Sequence, residues 1–362
     1  MGAIAPKKFP TFDFFIFITI FVKLIRQLII IIYYYFFLFY YLSISIYYQN
    51  NPLAFKLLKT LKNMEEININ GRRFFSILLA AGFLFFIYYF FWNAFNQKTK
   101  IVFCDVGQGD ATYIRIKNKI DVLIDAGPDR KILSCLGHNM PFWDKKIEIA
   151  IISHPQKDHF GGFLFLLDRY KIEKIFLPPL DNPSLSFQIL KGKIIKKSIP
   201  MNLITDEKNL KLAGDNLVFI WPTAEFLAKN LIFAKKNYAD NILGKSTLDD
   251  NNFSIVCLFQ EEDFKALFTG DASPFVLNSI VSKEKSQLIE KIDLLKIPHH
   301  GSKNGLTKKF LMLAKPQVAV ISVGKNNGYG HPNEEILAML EAQKVKIKRT
   351  DKEGEIIFKL PN

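Results

Sequence analysis

The sequence predicts an α/β protein in which two β-sheets pack face to face between outer layers of helices, a four-layer αββα sandwich. From residue 99 onward, short apolar runs of strand length alternate with polar turns, and such runs dominate the first half of this region. Later, helical segments fall between the strands, an order that places helices on the outer faces of sheets. The first 96 residues do not share this pattern. They are predicted to form a membrane anchor that precedes the sandwich domain, residues 97–362.

The anchor prediction depends on two long stretches without charged residues. Residues 28–48 are 21 residues without a charge, and residues 74–95 belong to a second such run, of 24 residues. Each is long enough to cross a bilayer as a helix. We therefore expect two transmembrane helices. The low complexity of residues 33–41 also allows another interpretation, in which this part is a mis-called start or the remnant of a longer gene.

The charge balance is basic, with a net charge of +14. Residues 97–362 carry 39 Lys and Arg against 31 Asp and Glu. This excess suits a polyanionic partner, but a solvated basic surface explains it equally well because the charges are spread along the sequence. The basic loop at residues 49–73 favours the cytoplasm and would put the sandwich domain on the outer face of the membrane, although basic residues near the N-terminus also favour the inside.

The three cysteines, Cys104, Cys135 and Cys257, lie in apolar or strand-like contexts. Their spacing matches no zinc finger and indicates no disulfide framework. We expect all three to be buried thiols.

The expected elements of the sandwich domain follow from its apolar runs. Strands are predicted at Lys100–Cys104, Thr112–Ile116, Val122–Ile124, Ala150–Ile152, Lys174–Leu177, Leu217–Trp221, Ser254–Phe259, Lys265–Phe268, Leu294–Ile297, Val318–Ile321 and Ile356–Lys359. Helices are predicted at Phe163–Tyr170, Pro274–Val281, Leu306–Ala314 and Glu334–Gln343. The stretch 181–250 is the least regular and is expected to contain loops over the site.

Polar side chains that suit a metal ion follow several of these strands. His154, Asp158 and His159 come directly after one strand, and the other candidates, after later strands, are Asp271, His299, His300 and His331. A single such histidine is more often structural, so the prediction depends on the recurrence. Imidazole and carboxylate ligands without a thiolate suit Zn²⁺, Mn²⁺ or Fe²⁺. A carboxylate such as Asp271 could bridge two ions ~3.5–4 Å apart.

The stretch His154-Pro-Gln-Lys-Asp-His159 resembles the H-x-[HD]-x-D-H signature of the metallo-β-lactamase superfamily. Five further segments resemble, in order, those of the C-terminal domain of the ComEC competence proteins. They are Asp105-Val-Gly-Gln-Gly-Asp-Ala111, Leu123-Ile-Asp-Ala-Gly127, Thr269-Gly-Asp271, Pro298-His-His-Gly-Ser302, and Ser322-Val-Gly324 with Gly330-His-Pro332. The resemblance implies a domain of metallo-β-lactamase fold. It also implies that the protein lies in the cell membrane of a bacterium.

In that family the soluble domain is thought to be a metal-dependent nuclease that degrades one DNA strand while the other passes through a membrane channel. The resemblance implies one or two divalent ions, with Zn²⁺ or Mn²⁺ expected. His154, Asp271 and, at the matching position, Gln156 would hold the first ion. The ligands implied for the second are Asp158, His159, Asp271 and one of His299 or His300.

Other residues would support this centre. Gly107 and Gly109 would let the turn from Asp105 to Asp110 pass beneath it, with Asp105, Gln108 and Asp110 as supports. Backbone N–H groups near Gly161–Gly162 and Gly301–Ser302 could receive phosphate oxygens. The candidate catalytic residues are Asp158, Lys303 and His331; the last two would contact phosphate or protonate the leaving group, or have a purely structural role.

Three features depart from the family pattern. Gln156 stands where the family usually has Asp or His, so the first ion should bind less tightly. Asn251-Asn252-Phe-Ser254 stands where many hydrolases of the superfamily supply a further histidine, although the ComEC group generally lacks it. Two membrane spans cannot build a DNA channel, so a separate multi-helix channel protein is a candidate partner.

Three hypotheses follow. The first is a membrane-anchored DNA phosphodiesterase linked to DNA uptake. The second keeps the metal-dependent hydrolase but gives it another substrate, such as an antibiotic, a lactone or a phosphodiester of the cell envelope, since the ligands alone do not determine the substrate. The third, motivated by Gln156, is a non-catalytic module that binds DNA or a protein through a degenerate metal site.

Overall fold

The computed structural model describes residues 71–95, 98–204, 208–232, 243–282 and 284–360. The chain separates into two compact units, Met1–Ile87 and Tyr88–Asn362. The predicted span at residues 28–48 lies outside the described residues, and the second predicted span falls in a helix, Gly71–Phe95. Among the described helices, none has the combination of length and apolar character needed to cross a membrane.

The strands of the described residues are numbered here in chain order. They are β1 Lys100–Phe103, β2 Thr112–Ile116, β3 Ile120–Ile124, β4 Lys146–Ile147, β5 Ile149–Ile151, β6 Lys171–Ile172, β7 Ile175–Leu177, β8 Met201–Leu203, β9 Lys208–Leu212, β10 Asp215–Trp221, β11 Val256–Glu261, β12 Phe264–Phe268, β13 Leu294–Lys296, β14 Val318–Ile321, β15 Lys346–Arg349 and β16 Ile356–Lys359. All eleven predicted strands are present, with ends that differ by a few residues. Most of the unpredicted strands are short and partly exposed.

The helices surround these strands. The α-helices are Gly71–Phe95, Lys131–Asn139, Lys157–Phe160, Phe163–Leu166, Leu185–Lys196, Ala224–Asn230, Pro274–Val281, Lys308–Ala314, Glu334–Ala342 and Thr350–Glu353, and the 3₁₀-helices are Asp250–Phe253, Glu284–Ile289 and Pro298–Gly301. The four predicted helices are confirmed, although the first is shorter than expected.

The expectation of an irregular stretch at residues 181–250 was wrong for much of its length. Besides the predicted strand β10, it contains strands β8 and β9 and the helix Leu185–Lys196. That helix buries Phe187, Leu190 and Ile194. These residues repeat at helical spacing, but the lysines between them hide the pattern.

The described residues form two seven-stranded sheets. The first has the order β16-β1-β2-β3-β5-β7-β8, and the second has the order β15-β14-β13-β12-β11-β10-β9. In the first sheet β1 to β3 are antiparallel, while β3, β5, β7 and β8 are parallel. In the second, β9 to β12 are antiparallel and β12 to β15 are parallel.

Three apolar clusters hold the layers together. One lies between the sheets and joins Phe103 to Phe268, whose ring centroids are 6.1 Å apart. A second packs the helix residue Leu190 against the first sheet, and a third packs Phe310 against the second sheet. The order of layers is therefore helix, sheet, sheet, helix, as the sequence predicts.

The prediction of three buried thiols was wrong for two of the cysteines. Cys104 and Cys135 form a disulfide, with Cα atoms 5.7 Å apart, and only Cys257 is a free, buried thiol within the described part of the chain. Cys104 follows strand β1, and Cys135 lies in the helix Lys131–Asn139. The tertiary packing of this helix near the end of the strand brings the two together, which sequence spacing does not show.

Candidate metal centre

The turn after strand β5 carries the first group of site residues. Strand β5 ends at Ile151, and the short helix Lys157–Phe160 begins after Gln156. The turn is fixed from below by the buried carboxylate of Asp125, which accepts hydrogen bonds from the backbone N–H and the hydroxyl of Ser153, both at 2.7 Å. This arrangement directs His154 and His159 toward the same edge of the sheet.

Four side chains from three separate segments converge at this edge. They are Asp158, His159, Asp271 and His300, and each offers one ligand atom within 4.8 Å of the others. Asp271 follows strand β12, and His300 follows strand β13. Both strands belong to the parallel part of the second sheet, whose carboxyl ends are the usual place for a binding site.

The carboxylate of Asp271 lies between two imidazoles. Its Oδ1 is 3.4 Å from His159 Nε2, and its Oδ2 is 3.4 Å from His300 Nε2. Asp158 Oδ2 completes the group, 3.3 Å from His300 Nε2 and 3.9 Å from His159 Nε2. We call these four residues the ligand cluster.

The ligand cluster contains buried polar atoms without hydrogen-bond partners. They include the Nε2 atoms of His159 and His300 and Oδ1 of Asp271. Buried polar groups in proteins are rarely left in this state without a functional reason. Imidazole nitrogen and carboxylate oxygen are ligands of Zn²⁺ and Mn²⁺, so the cluster fits one divalent ion.

The second nitrogen of each imidazole is held by an acceptor. His159 Nδ1 is 2.8 Å from Asp125 Oδ2, and His300 Nδ1 is 2.9 Å from the backbone carbonyl of Ser322. A carbonyl oxygen can only accept, so the Nδ1 of His300 carries a proton. Such contacts are typical of metal-binding histidines, because they leave the Nε2 lone pair free for the ion.

The charges of the cluster shift the pKa values of its members. Burial opposes the charged form of Asp271, but His300 and His159 outweigh it and hold the pKa well below its usual range. Burial also opposes protonation of His159, yet Asp271 and Asp125 raise its pKa well above the usual range. Asp271 and Asp110 raise the pKa of His300 in the same way. The carboxylates therefore keep the two imidazoles protonated in the metal-free protein, and a bound cation would replace those protons.

A buried lysine beneath the ligand cluster was not anticipated from the sequence. Lys296 is 3% exposed; its Nζ pairs with Asp110 and donates to the carbonyl of Gly270 at 2.7 Å. The same ammonium lies 3.6 Å from Asp271 Oδ1. The signal that could have found it is a charged residue in the apolar run of strand β13. Asp125, which was not given a role, is a second residue that sequence reasoning missed.

The structure distinguishes the adjacent histidines, which sequence reasoning could not. Both His299 and His300 have left-handed backbone conformations, with φ of 50° and 53°. His300 is buried in the ligand cluster, whereas His299 is partly exposed and its Nε2 lies 4.0 Å from Asp271 Oδ2. Two consecutive left-handed residues are costly and tend to occur at functional sites.

The residues predicted to bind the first ion form a less complete set of ligands. His154 is fully buried, and burial lowers its pKa to about 3, so its imidazole is neutral. Its Nδ1 is 3.1 Å from Ser153 Oγ, and its Nε2 has no partner. The ring centroid of His154 lies 4.1 Å from that of His159. Gln156 lines the cleft above the cluster but supplies no charge.

The loop Asp105–Asp110 lies beneath the centre, as predicted. Asp110 N donates to the carbonyl of Asp158 at 3.1 Å. Gly109 has φ of 145°, and a Cβ at this position would collide with the Asp158 carbonyl. Gln108 Oε1 accepts from Gly324 N, whereas Asp105 is exposed and accepts only locally, from Gly107 N.

The prediction of phosphate-binding backbone groups was wrong at three positions. The N–H of Gly161 donates to Lys157 O, that of Gly162 to Gly127 O, and that of Ser302 to His299 O. These donors are already used by the fold, and Gly161 and Gly162 pack tightly against neighbouring backbone. They are therefore not free to receive phosphate oxygens.

A cleft of about 640 Å³ opens onto the ligand cluster. It is lined by Gln108, Pro128, Asp129, Lys131, Gln156, Lys157, Asp158, Asp271, His299, His300, Tyr329 and His331. Burial, together with His300 and His299, lowers the pKa of His331. Lys303 is exposed and lies outside this lining.

The chain was compared with protein families and with individual proteins. No family model matches. It is 27% identical to the ComE operon protein 3 of Bacillus subtilis (strain 168) over 327 residues, which are 83% of this chain and 37% of that protein. It is 33% identical to the competence protein ComA of Neisseria gonorrhoeae over 291 residues, 80% of this chain and 36% of that protein. The chain thus spans about a third of the length of these relatives.

Solved structures were compared as well. Igni18, a metallo hydrolase from the archaeon Ignicoccus hospitalis, aligns with 72% of this chain and 100% of its own, with 13% identity and a TM-score of 0.44. A diphosphatase of the PhnP family aligns with 73% of this chain and 99% of its own, with 12% identity and a TM-score of 0.43. The sequence matches confirm that the chain resembles the ComEC family of competence proteins.

Proposed function

We propose that this chain is a membrane-anchored, metal-dependent phosphodiesterase that cleaves DNA during DNA uptake. The observation that carries the proposal is the ligand cluster, in which buried imidazole and carboxylate atoms face one another without partners. The relatives are named as competence proteins, which supports DNA as the substrate class. The basic balance of residues 97–362 is consistent with a polyanion.

Asp158, His159, Asp271 and His300 would hold the divalent ion, and His154 with Gln156 would be the place for a weaker second ion. When bound, such an ion polarises a phosphoryl oxygen and acidifies water. Asp125 and the Ser322 carbonyl keep the two ligand imidazoles in the required tautomer.

Other residues of the cleft would act on the substrate itself. Asp158 is partly exposed at the cleft and can position a water molecule. His331 lies on the same wall, with its ring centroid 6.0 Å from that of His299. A lowered pKa keeps His331 neutral near pH 7, which suits hydrogen bonding to the leaving group better than donation of a proton.

The test is DNA cleavage by the purified full-length chain with Mn²⁺ or Zn²⁺. We expect wild type to cut DNA, and Asp271→Asn to lose both the activity and the bound ion, since its carboxylate contacts both imidazoles. Asp168→Asn is the matched control, because that carboxylate is exposed and pairs with Lys193 outside the cleft. Absence of cleavage with every divalent ion would refute the proposal.

A non-catalytic binding module is the second candidate. It is favoured by Gln156 and by the raised pKa values of His159 and His300, because protonated imidazoles can pair with the carboxylates without any metal. Metal content separates the two candidates. Binding of DNA by a chain that holds no ion would support the module and exclude the phosphodiesterase.

The disulfide bears on the proposed location. Disulfides persist in oxidising compartments and are rare in the cytosol. The bond between Cys104 and Cys135 therefore supports a domain on the outer face of a bacterial cell membrane. A separate multi-helix channel protein is the proposed partner. Labelling of a cysteine introduced at exposed Lys303 with a membrane-impermeant maleimide in intact cells tests the orientation; protection until lysis would place the domain inside.

A further inference from the structure

An exposed tyrosine stands at the mouth of the metal cleft. Tyr329 lines the cleft, and 74% of its surface is exposed. Its ring stacks on His331, with centroids 5.8 Å apart and 18° between the planes. The rings of His331 and His299 are in edge contact, and His299 lies 4.0 Å from Asp271. A continuous row of rings thus leads from the ligand cluster to solvent.

The loop that carries Tyr329 is held in place by one side chain. Asn327 Nδ2 donates to the carbonyls of Gly324 at 3.0 Å and His331 at 2.7 Å. Its Oδ1 accepts from the N–H of His331 at 2.9 Å. These bonds close the loop on both sides of Tyr329. The backbone near the ring is thus held, and the ring itself packs on His331, so it loses little freedom when a ligand stacks on it.

The cleft also contains two free-standing cationic side chains. Lys131 and Lys157 line it, and both are exposed. Proteins that bind single-stranded nucleic acid combine basic side chains along the backbone with aromatic rings on which the bases stack. The cleft, at about 640 Å³, has the size of a pocket for a small-molecule ligand, and a nucleotide is of that size.

We propose that Tyr329 is a stacking platform for an unpaired nucleobase beside the phosphodiester at the ligand cluster, so that the cleft selects single-stranded over duplex DNA. This inference rests on the proposed function. A base inside a duplex is stacked on its neighbours, and it must be unpaired before its face can reach a protein ring. Duplex DNA can therefore use the lysines of the cleft but not the tyrosine.

The experiment measures binding of fluorescently labelled DNA to the full-length chain in EDTA, so that no strand is cut. We expect Tyr329→Leu to weaken binding of a single strand about tenfold, the loss typical of one stacked base. Binding of an abasic strand of equal length, and of a duplex, should be unchanged. Tyr329→Phe should retain wild-type affinity because it keeps the ring.

Phe142→Leu is the matched control. This aromatic side chain is 83% exposed but does not line the cleft, and its loss should change none of the affinities. Equal affinity of wild type for base-bearing and abasic strands would overturn the inference, as would an unchanged affinity of Tyr329→Leu for the single strand.

Failure of the proposed function would look different. A chain that cleaves no DNA but still binds single strands through Tyr329 would retain the platform and exclude the phosphodiesterase. Conversely, cleavage of DNA by Tyr329→Leu with wild-type KM on a single strand would keep the phosphodiesterase and exclude the platform.

Discussion

Of the two histidines in the turn after strand β5, His159 is surrounded by carboxylates, whereas His154 contacts a hydroxyl group. His159 Nε2 lies 3.4 Å from Asp271 and 3.9 Å from Asp158. His154 Nδ1 lies 3.1 Å from the hydroxyl oxygen of Ser153. The other predicted ligand on the His154 side, Gln156, is neutral. The Ser153 hydroxyl also lies 3.2 Å from His159 Nδ1, so the two histidines, five positions apart, differ in their carboxylate contacts.

The difference between the two histidines appears in their pKa values and indicates that the two ion positions are unequal. Burial lowers the pKa of His154 to about 3, while carboxylates overcome burial and raise that of His159. An ion placed near His159 would meet two carboxylates and two imidazoles, but near His154 it would meet one imidazole and an amide in addition to the shared Asp271. We therefore expect one ion to bind well and a second to bind weakly.

The largest expected effect is a loss of stability on removal of Lys296, whose ammonium lies 3.6 Å from Asp271 Oδ1. Lys296→Met removes the lysine partner of buried Asp110, which keeps its contacts with His300 and His159, and should lower the free energy of unfolding by about 3–5 kcal/mol. Denaturant unfolding in EDTA measures this. Lys191→Met removes a partly exposed pair with Asp181 and should cost only about 0–1 kcal/mol. Equal losses in the two variants would show that Lys296 has no special structural role.

The next prediction compares the two sides directly. His300→Ala should weaken binding of the first Mn²⁺ ion more than about a hundredfold, because even partners that contact a ligand indirectly cost 10–100-fold. His154→Ala should weaken it by less than about tenfold, since His154 lies outside the ligand cluster. Calorimetric titration gives both dissociation constants. Similar losses of affinity in the two variants would show that His154 and His300 contribute equally to binding of the first ion.

Metal affinity should also depend on pH. In the metal-free protein the pKa values of His159 and His300 lie well above 6.5, so an ion must displace their protons. Affinity should rise with pH until the pH passes the folded pKa values of these imidazoles, by about tenfold per pH unit for each proton displaced. The sign for stability is opposite: the metal-free protein gains from these groups below pH 6.5 and loses this gain as pH rises through their folded pKa values. His154→Ala should leave the slope unchanged, and a flat profile would contradict the assigned charges.

The smallest expected effect concerns Gln156. Gln156→Asp adds a carboxylate to the His154 side and should raise the metal content from one ion to two per chain, with a change of less than about tenfold in the affinity of the first ion. Gln287→Asp, at an exposed position of the 3₁₀-helix Glu284–Ile289, is the control for a Gln-to-Asp change outside the cleft. A single ion in the Gln156 variant would mean that His154 is structural.

Much of the fold could be predicted because its strands are short apolar runs bounded by turns. Strand β14, which is buried along most of its length, was predicted with the same bounds that the structure shows. Strands β9 and β15 were missed, because their sequences, Lys-Asn-Leu-Lys-Leu and Lys-Ile-Lys-Arg, have alternating lysines on edge strands. The period-two pattern is present there, but few of its residues are buried.

The ligand types of the candidate site and the loop beneath it were predicted, but the supporting residues Lys296 and Asp125 were missed. Asp158, His159, Asp271 and His300 all follow strands, so their recurrence in the sequence pointed to one edge of the sheets. Lys296 was missed because its cost of burial is offset only by partners far away in the sequence, such as Asp110. The backbone donors of Gly161 and Gly162 looked free for the same reason: their acceptors belong to other segments or turns.

Local composition and spacing are enough to predict the alternation of strands and helices, and the kinds and order of the candidate ligand residues. Only the tertiary structure decided which of His299 and His300 joins the cluster, that Cys104 pairs with Cys135, and that His154 and His159 differ in charge. These features depend on distances between segments and on burial, and both arise only when the two sheets pack together.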